Sequence, residues 1–374
     1  MLFLVGSIFV LYTLLLLLLR QGVKKIRVQT SVTDAHQIRS VSVVVPFRNE
    51  ASHLGALLND LKSQTYPAFS YEVVLVDDHS SDGSYELVQR VVQGDARFRL
   101  TRLGAGEKGK KAALTEGIRV SKGEIILTTD ADCRLPETWC RTMNAAFENP
   151  AVKMCLGPLR LRGSSSFLHR MQALEFVSVV AVTMATAGWG RPSLASGANL
   201  AFRRDAFYAV DGYFNERTLA SGDDQFLMEK IAQRFAHAVI FLPDQRALVA
   251  TGAAPNLNAF LQQRLRWAGK WRRLQPATRA LAVFVFVFHA VAMASIPLAV
   301  FTTQAAVWIL PLWLVKGGCE WWLLAPVARI TKVTWSWTSF FCWQLAYPMY
   351  AVAVAVFSRR KDIDWKDRTW QNQV

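Results

Sequence analysis

The sequence predicts an α/β domain carried between transmembrane α-helices, and three observations predict it. The ends are apolar while the middle holds nearly all the acids and bases. Within the middle, short β-branched runs alternate with segments of helical spacing. Acidic residues recur just after those runs, at the carboxyl ends of strands, where an open α/β sheet binds its ligand.

Residues 2–19 form an uncharged apolar run followed by Arg20, Lys24, Lys25 and Arg27. A cleaved leader needs its bases first and a small-residue cleavage site after a short apolar core. The order here is reversed, so 1–20 reads as a retained anchor. Cationic flanks stay in the cytoplasm, which puts the next segment, 21–279, on that side. In it, Val41–Val45 and Glu72–Val76 read as buried parallel strands, joined by a helix over Ala51–Gln64 with Leu54, Leu57, Leu58 and Leu61 on one face. Helices over Tyr85–Val92 and Lys111–Val120 and a strand over Glu124–Thr128 follow. Beyond Pro158, Phe167–Ala187 reads as an amphipathic or interfacial helix and less readily as a span, Ser196–Asn199 as a turn, Asp224–Phe235 as a helix and Phe260–Trp271 as a basic, aromatic helix.

The segment 280–358 accommodates three spans, near 280–301, 304–325 and 333–357, each close to the ~20 residues a bilayer requires. Lys316 and Glu320, four apart, can pair inside the second. This topology leaves Arg359, Arg360 and Lys361 of the basic tail, 359–374, outside, against the positive-inside bias.

The formal charge is +15, but the bases are spread and many flank apolar runs, which points to membrane lipid and away from nucleic acid. Five cysteines without paired spacing give no disulfide or zinc framework and fit a reducing compartment.

Four constellations carry chemistry. Asp78, after Val74–Asp77, can accept a hydrogen bond from the imide nitrogen of a uracil ring; Asp82 in the same turn can instead cap the next helix. Asp130 and Asp132, one residue apart, let one acid hold a ribose hydroxyl while the other ligates a hard divalent cation. Asp223 and Asp224 precede a helix, where negative charge is welcome. Asp224 is also suited to take a proton from an attacking hydroxyl. Gln263, Arg264, Leu265, Arg266 and Trp267 offer a guanidinium for a diphosphate and a flat wall for a sugar ring, or a basic interfacial helix.

In order, Asp78, Asp130-Ala-Asp132, Asp224 and Gln263-Arg-Leu-Arg266-Trp267 resemble the D, DxD, D, QxxRW series of family 2 glycosyltransferases. Val45, Pro46, Phe47, Arg48, Asn49 and Glu50 resemble the family's first-strand donor loop, and Gly109, Lys110 with Ala113, Leu114 agree further. The resemblance covers about residues 40–275. It implies a GT-A fold, a mixed, mostly parallel sheet flanked by helices, binding a nucleotide sugar with Mg2+ or Mn2+. It further implies donor contacts from Pro46, Arg48, Glu50 and Lys110. Asp78 would read the base, Asp130 the ribose and Asp132 the metal. Asp224 would be the base that takes the acceptor proton, with Asp223 as its helper, and Gln263, Arg266 and Trp267 would hold diphosphate and acceptor. The family's third motif commonly has Glu where Asp223 stands, so the helper role of Asp223 is the part of the pattern that departs.

The resulting expectation is an inverting glycosyltransferase of the bacterial cytoplasmic membrane, its catalytic domain cytoplasmic, using a UDP-sugar donor and a lipid or lipid-linked acceptor. A processive polysaccharide synthase and an inactive scaffold subunit are the alternatives, the former disfavoured by the small number of spans.

Overall fold

A computed structural model describes residues 2–26, 37–163, 166–213, 222–268 and 275–357, and the backbone of 362–365 and 368–371. The chain forms two compact units. One comprises Lys25–Arg162 and Thr186–Gly252, the other Met1–Lys24, Gly163–Ala185 and Ala253–Val374.

The first unit is built on a seven-stranded sheet. Its strands are β1 (Val41–Phe47), β2 (Tyr71–Asp77), β3 (Phe98–Arg102), β4 (Ile125–Thr128), β5 (Met154–Leu156), β7 (Leu200–Arg203) and β8 (Val239–Phe241), in the order β3-β2-β1-β4-β7-β5-β8. β1 lies parallel to both β2 and β4, while β7 runs antiparallel to β4 and β5. Pro46 stays in β1 because β4 pairs only with Val41–Val44; its missing N–H falls where that ladder has ended. The helices α2 (Ala51–Lys62), α3 (Ser84–Val92) and α4 (Lys110–Val120) fall where helical spacing predicts them, and the shorter α5 (Trp139–Ala145) and α7 (Arg204–Ala209) join them. Leu54, Leu57, Leu58 and Leu61 of α2 are fully buried, each contributing ~1.5–3 kcal/mol of apolar burial. Two further strands, β6 (Leu159–Arg162) and β9 (Val249–Gly252), pair in parallel as a separate ladder.

The second unit is helical, with α1 (Leu2–Lys25), α6 (Phe167–Gly188), α9 (Leu257–Ala268), α10 (Pro276–Phe301), α11 (Thr303–Thr331) and α12 (Trp337–Phe357). Among the described residues four helices are long and apolar enough to cross a membrane: α1, α6, α10 and α12. Two of these assignments differ from expectation. α6 reads as interfacial from sequence, yet its composition suffices for a span. α11, expected as the middle span, is longer but is diluted by Gly317, Gly318, Lys316 and Glu320.

The expected Lys316–Glu320 pair forms, at 2.9 Å, and joins a larger network. Glu320 also accepts from the Tyr12 hydroxyl of α1 at 2.8 Å and from the Gln344 amide of α12 at 2.7 Å, while Lys316 donates to Gln344 Oε1 at 2.6 Å. Tyr12 stacks on Phe288 of α10 with centroids 3.6 Å apart. After α12, β10 (Asp362–Trp365) and β11 (Arg368–Gln371) form an antiparallel pair in the tail; Arg359–Lys361 lie outside the described residues.

Candidate active site

The site lies in the sheet unit, at the carboxyl ends of β1, β2 and β4. Of the two acids ending β2, Asp77 is committed to structure. One of its oxygens accepts from Arg102 Nε of β3 at 2.8 Å, the other from the Ser80 backbone N–H at 3.0 Å. Asp78 is also buried, and its Oδ2 accepts the Gly109 N–H at 3.0 Å. Gly109 has φ 95°, a conformation open to glycine, which lets the N-terminus of α4 turn its amide toward Asp78.

Arg48 donates to the backbone carbonyls of Asp78 and His79 at 2.9 and 3.1 Å, clamping the β1–α2 loop on the β2–α3 loop. Glu50 precedes α2; its N–H donates to Ser84 Oγ at 2.8 Å and its carboxylate lies 2.8 Å from His53 Nδ1. The capping reading of Asp82 holds. It accepts from the Ser84 N–H of α3 and from the Ala51 N–H of α2, both at 3.0 Å. Burial opposes ionisation of Asp82, and the hydrogen bonds from Ser84 and Ala51 overcome it, holding the carboxyl below its usual range.

The antiparallel entry of β7 brings a second loop to the end of β4. The turn Gly197–Asn199 leads straight into β7, so it lies beside the last residue of β4, and Thr128 Oγ1 donates to the Gly197 carbonyl at 2.9 Å. The Gly197 N–H donates to Asp224 Oδ2 at 3.0 Å. Asp223 and Asp224 open α8 (Asp223–Arg234) after Gly222, φ 94°. Ser221 lies outside the described residues.

Lys110, at the start of α4, reaches Asp130 Oδ1 at 2.6 Å and Asp223 Oδ2 at 3.6 Å. Burial works against its ammonium, but Asp130, Asp223 and Asp224 outweigh it and hold the group above its usual range. Buried Tyr213 feels the same field: burial and Asp223 push its phenol well up. A Cβ on Gly197 would lie 3.2 Å from Asp223 Oδ2 and 3.3 Å from Lys110 Nζ, so glycine is what lets the backbone approach this pair.

Asp132 faces β9. Its Oδ2 is 3.3 Å from Thr251 Oγ1, and a Cβ on Gly252 would stand 3.8 Å from that oxygen. Arg134 pairs its backbone with Ala250, fixing the loop after Asp132 against the strand. Cys133 is buried, and burial first, then Asp130 and Asp132, push its thiol well up.

The structure thus brings Lys110 together with Asp130, Asp223 and Asp224, sets Asp78 on the amide of neighbouring Gly109, and turns Asp132 toward Thr251. Gly197 and Thr251 join them without having been singled out. Ser196–Asn199 reads only as a turn, and nothing in the sequence marks Thr251. Pro46, Arg48 and Glu50 build the adjoining loops. Gln263, Arg266 and Trp267 lie on α9 in the helical unit. There the arginine in the buried ion pair is Arg264. It donates through Nε to Glu175 Oε1 at 2.7 Å and through Nη2 to Oε2, with Trp267 stacked 4.3 Å from its guanidinium carbon. Gln263 accepts from Arg264 Nη1.

Residues 42–210 match the family model described as Glycosyl transferase family 2. A poly-beta-1,6-N-acetyl-D-glucosamine synthase of Staphylococcus epidermidis is 24% identical over 276 residues, 70% of this chain and 63% of the relative. A beta-monoglucosyldiacylglycerol synthase of Synechocystis sp. is 27% identical over 234 residues, 61% of this chain and 47% of the relative. The chain spans less than two thirds of the length of these curated relatives. Among solved structures, a mannosyltransferase from Pyrobaculum calidifontis in complex with GDP-Man and Mn2+ superposes with a TM-score of 0.62 at 20% identity, covering 95% of this chain and 96% of that one. Residues 42–210 are thus similar to family 2 glycosyltransferases, and the chain has the GT-A fold.

Proposed function

We propose that the chain transfers one sugar, with inversion, from a nucleotide-sugar donor of the UDP class to a lipid or lipid-linked hydroxyl at the cytoplasmic face of a bacterial membrane. The observation that carries this reading is the set of three carboxylates, Asp130, Asp223 and Asp224, around Lys110 at strand and helix ends, with Asp132 two positions after Asp130.

In this reading Asp78, its Oδ2 anchored by Gly109, reads the base, and Asp130 receives the ribose. Pro46, Arg48 and Glu50 shape the donor loop. Lys110 donates to the donor's diphosphate once that anion competes with Asp130 for its ammonium. Asp224 is held through Oδ2 by the Gly197 amide, and Asp223 keeps its neighbouring lysine in place. The acceptor oxygen forms its bond to the anomeric carbon opposite the leaving group. Its proton passes to the Asp224 carboxylate, and the anomeric carbon–oxygen bond breaks with its electron pair staying on the nucleoside diphosphate.

The donor set fits a hard divalent cation. Asp130 and Asp132 supply carboxylate oxygens, and among the described residues no cluster of three His, Cys, Asp or Glu makes a protein cage. Mg2+ sites commonly combine one or two carboxylates with substrate phosphates, and here Asp132, with Asp130 adjacent, would hold Mg2+ or Mn2+. When bound, the ion would neutralise charge developing on the diphosphate.

The membrane reading draws support from the four apolar helices, and the lipid acceptor from the likeness to a glucosyldiacylglycerol synthase. The likeness to a polysaccharide synthase favours processive transfer as the second reading, and product length separates the two. The deciding experiment incubates detergent-purified protein with a panel of UDP- and GDP-sugars, with and without manganese, beside Asp132→Ala and Asp224→Ala. Metal-dependent turnover of one donor, lost in both variants, is expected. Folded protein that neither binds nor turns over any donor would sink the proposal and leave the scaffold reading.

A further inference from the structure

Two features of the helical unit meet on α11. Arg20 and Lys24, one turn apart on α1, both lie over Trp322, the guanidinium carbon at 5.0 Å and the ammonium at 5.3 Å from the indole centroid. Two cations thus share one side chain, and Arg20 Nε is buried with no hydrogen-bond partner. Arg329 is seven residues beyond Trp322, two turns along the same face of α11.

Leu314, Gly318 and Trp322 are spaced by four and form one ridge of α11. The first two line a groove of about 430 Å³ between α11 and α12, within the size range of ligand sites. Trp321, Trp337, Phe341 and Leu345 supply most of its remaining apolar wall, and the last three of these are more than half exposed. Continuing the ridge by one turn leads from the groove to the cation pair.

We infer that this surface is a binding site for an anionic phospholipid, its phosphate held by Arg20 and Lys24 beside Trp322 and one hydrocarbon chain lying in the α11–α12 groove. The charge assignment follows from electrostatics: two cations on one indole repel each other, and a phosphate relieves that repulsion while giving Arg20 Nε an acceptor. The chain assignment follows from the groove, whose apolar wall fits hydrocarbon. A phosphate without a chain would use half the site. The inference needs the helices to lie in a membrane but does not depend on the reaction proposed above.

Native mass spectrometry of the full chain, taken from phosphatidylcholine vesicles doped with phosphatidylglycerol, tests it. The wild type is expected to retain phosphatidylglycerol in preference to phosphatidylcholine. Arg20→Gln and Lys24→Gln should each weaken retention roughly fivefold, and together about 25-fold, the expected effect of about one basic charge each at an anionic surface. Arg20→Lys should keep most of it. Gly318→Leu fills the groove without touching the charges, and a Cβ there meets nothing within 4 Å, so this variant should fold yet retain less phosphatidylglycerol. Wild-type retention by the double variant would overturn the site. Displacement of the lipid by millimolar inorganic phosphate would overturn it in favour of a soluble anion. Because the readout is bound lipid, its failure leaves the transfer reaction untouched.

Discussion

Lys110 and Lys316 are both lysines held by carboxylates, in sites built on opposite principles. Lys316 has one acid, Glu320, whose oxygens are shared with Tyr12 and Gln344; the charges balance, and both side chains are almost wholly buried. Lys110 faces Asp130 and Asp223 with Asp224 close by, and both it and Asp130 remain partly exposed. Among the described residues its surroundings are acid-rich and open. Closure and balance suit a group that joins α1, α11 and α12. A surplus of carboxylates at an open strand end suits a group that awaits a cationic or phosphate-bearing ligand.

The sharpest way to break the contrast is chemical. Asp224→Ala should lower kcat about 10²- to 10⁴-fold with little change in thermal stability, as measured by initial rates and unfolding scans. A much smaller loss would mean that the acceptor arrives already ionised, as a phosphate does. In the other site, Glu320→Ala strands Lys316 and should destabilise the helical unit by ~3–5 kcal/mol, whereas joint replacement of Lys316, Glu320 and Gln344 by apolar residues should be close to neutral. Thermal unfolding in detergent reads both, and equal losses in the two variants would remove the balanced-pair account.

Gly197→Ala probes the crowding around Lys110. The added methyl must displace Asp223 or Lys110 by a few tenths of an ångström, and roughly tenfold lower kcat with nearly unchanged KM is expected. Smaller still is Asp82→Ala, which removes the bonds to Ser84 and Ala51 and should cost at most about 1 kcal/mol, since the residue is exposed. The folded pKa of Asp82 lies below the ordinary 3.8, so its contribution is present above pH 3.8 and disappears as pH falls through the folded value. Wild type and variant should therefore converge in acid. For Lys110 the sign is opposite: its contribution is complete below pH 10.5 and is lost only as pH rises through its raised folded value. Any alkaline fall in activity below pH 10.5 belongs to another group, which a pH–rate profile of Lys110→Arg would show by leaving that limb in place.

Local patterns were legible where each is self-sufficient. The leucines of α2 recur at helical spacing, and Val41–Val45 reads as a buried strand, because periodicity and β-branching act within a few residues. The acids at the ends of β2 and β4 were legible for the same reason. β3 was not, since Phe98–Arg102 alternates weakly and is a half-exposed edge. The short strands β5 to β9 carry three or four residues each, and unlike the equally short β4 none is followed by a paired-acid motif that marks its end. Gly197 and Thr251 could not be singled out, because their importance lies in neighbours 27 and 119 positions away along the chain.

The sequence alone determined the α/β core, the apolar helices and the ordered acid motifs, all properties of short segments whose side chains choose helix, strand or membrane by themselves. Only the tertiary structure decided that Asp77 is tied to Arg102 while Asp78 takes the Gly109 N–H, and that Arg264 rather than Arg266 pairs with Glu175. It also decided that an antiparallel β7 delivers Gly197 to Asp224. Those choices rest on distances between remote residues, which local physics leaves open until the sheet closes and packing fixes them.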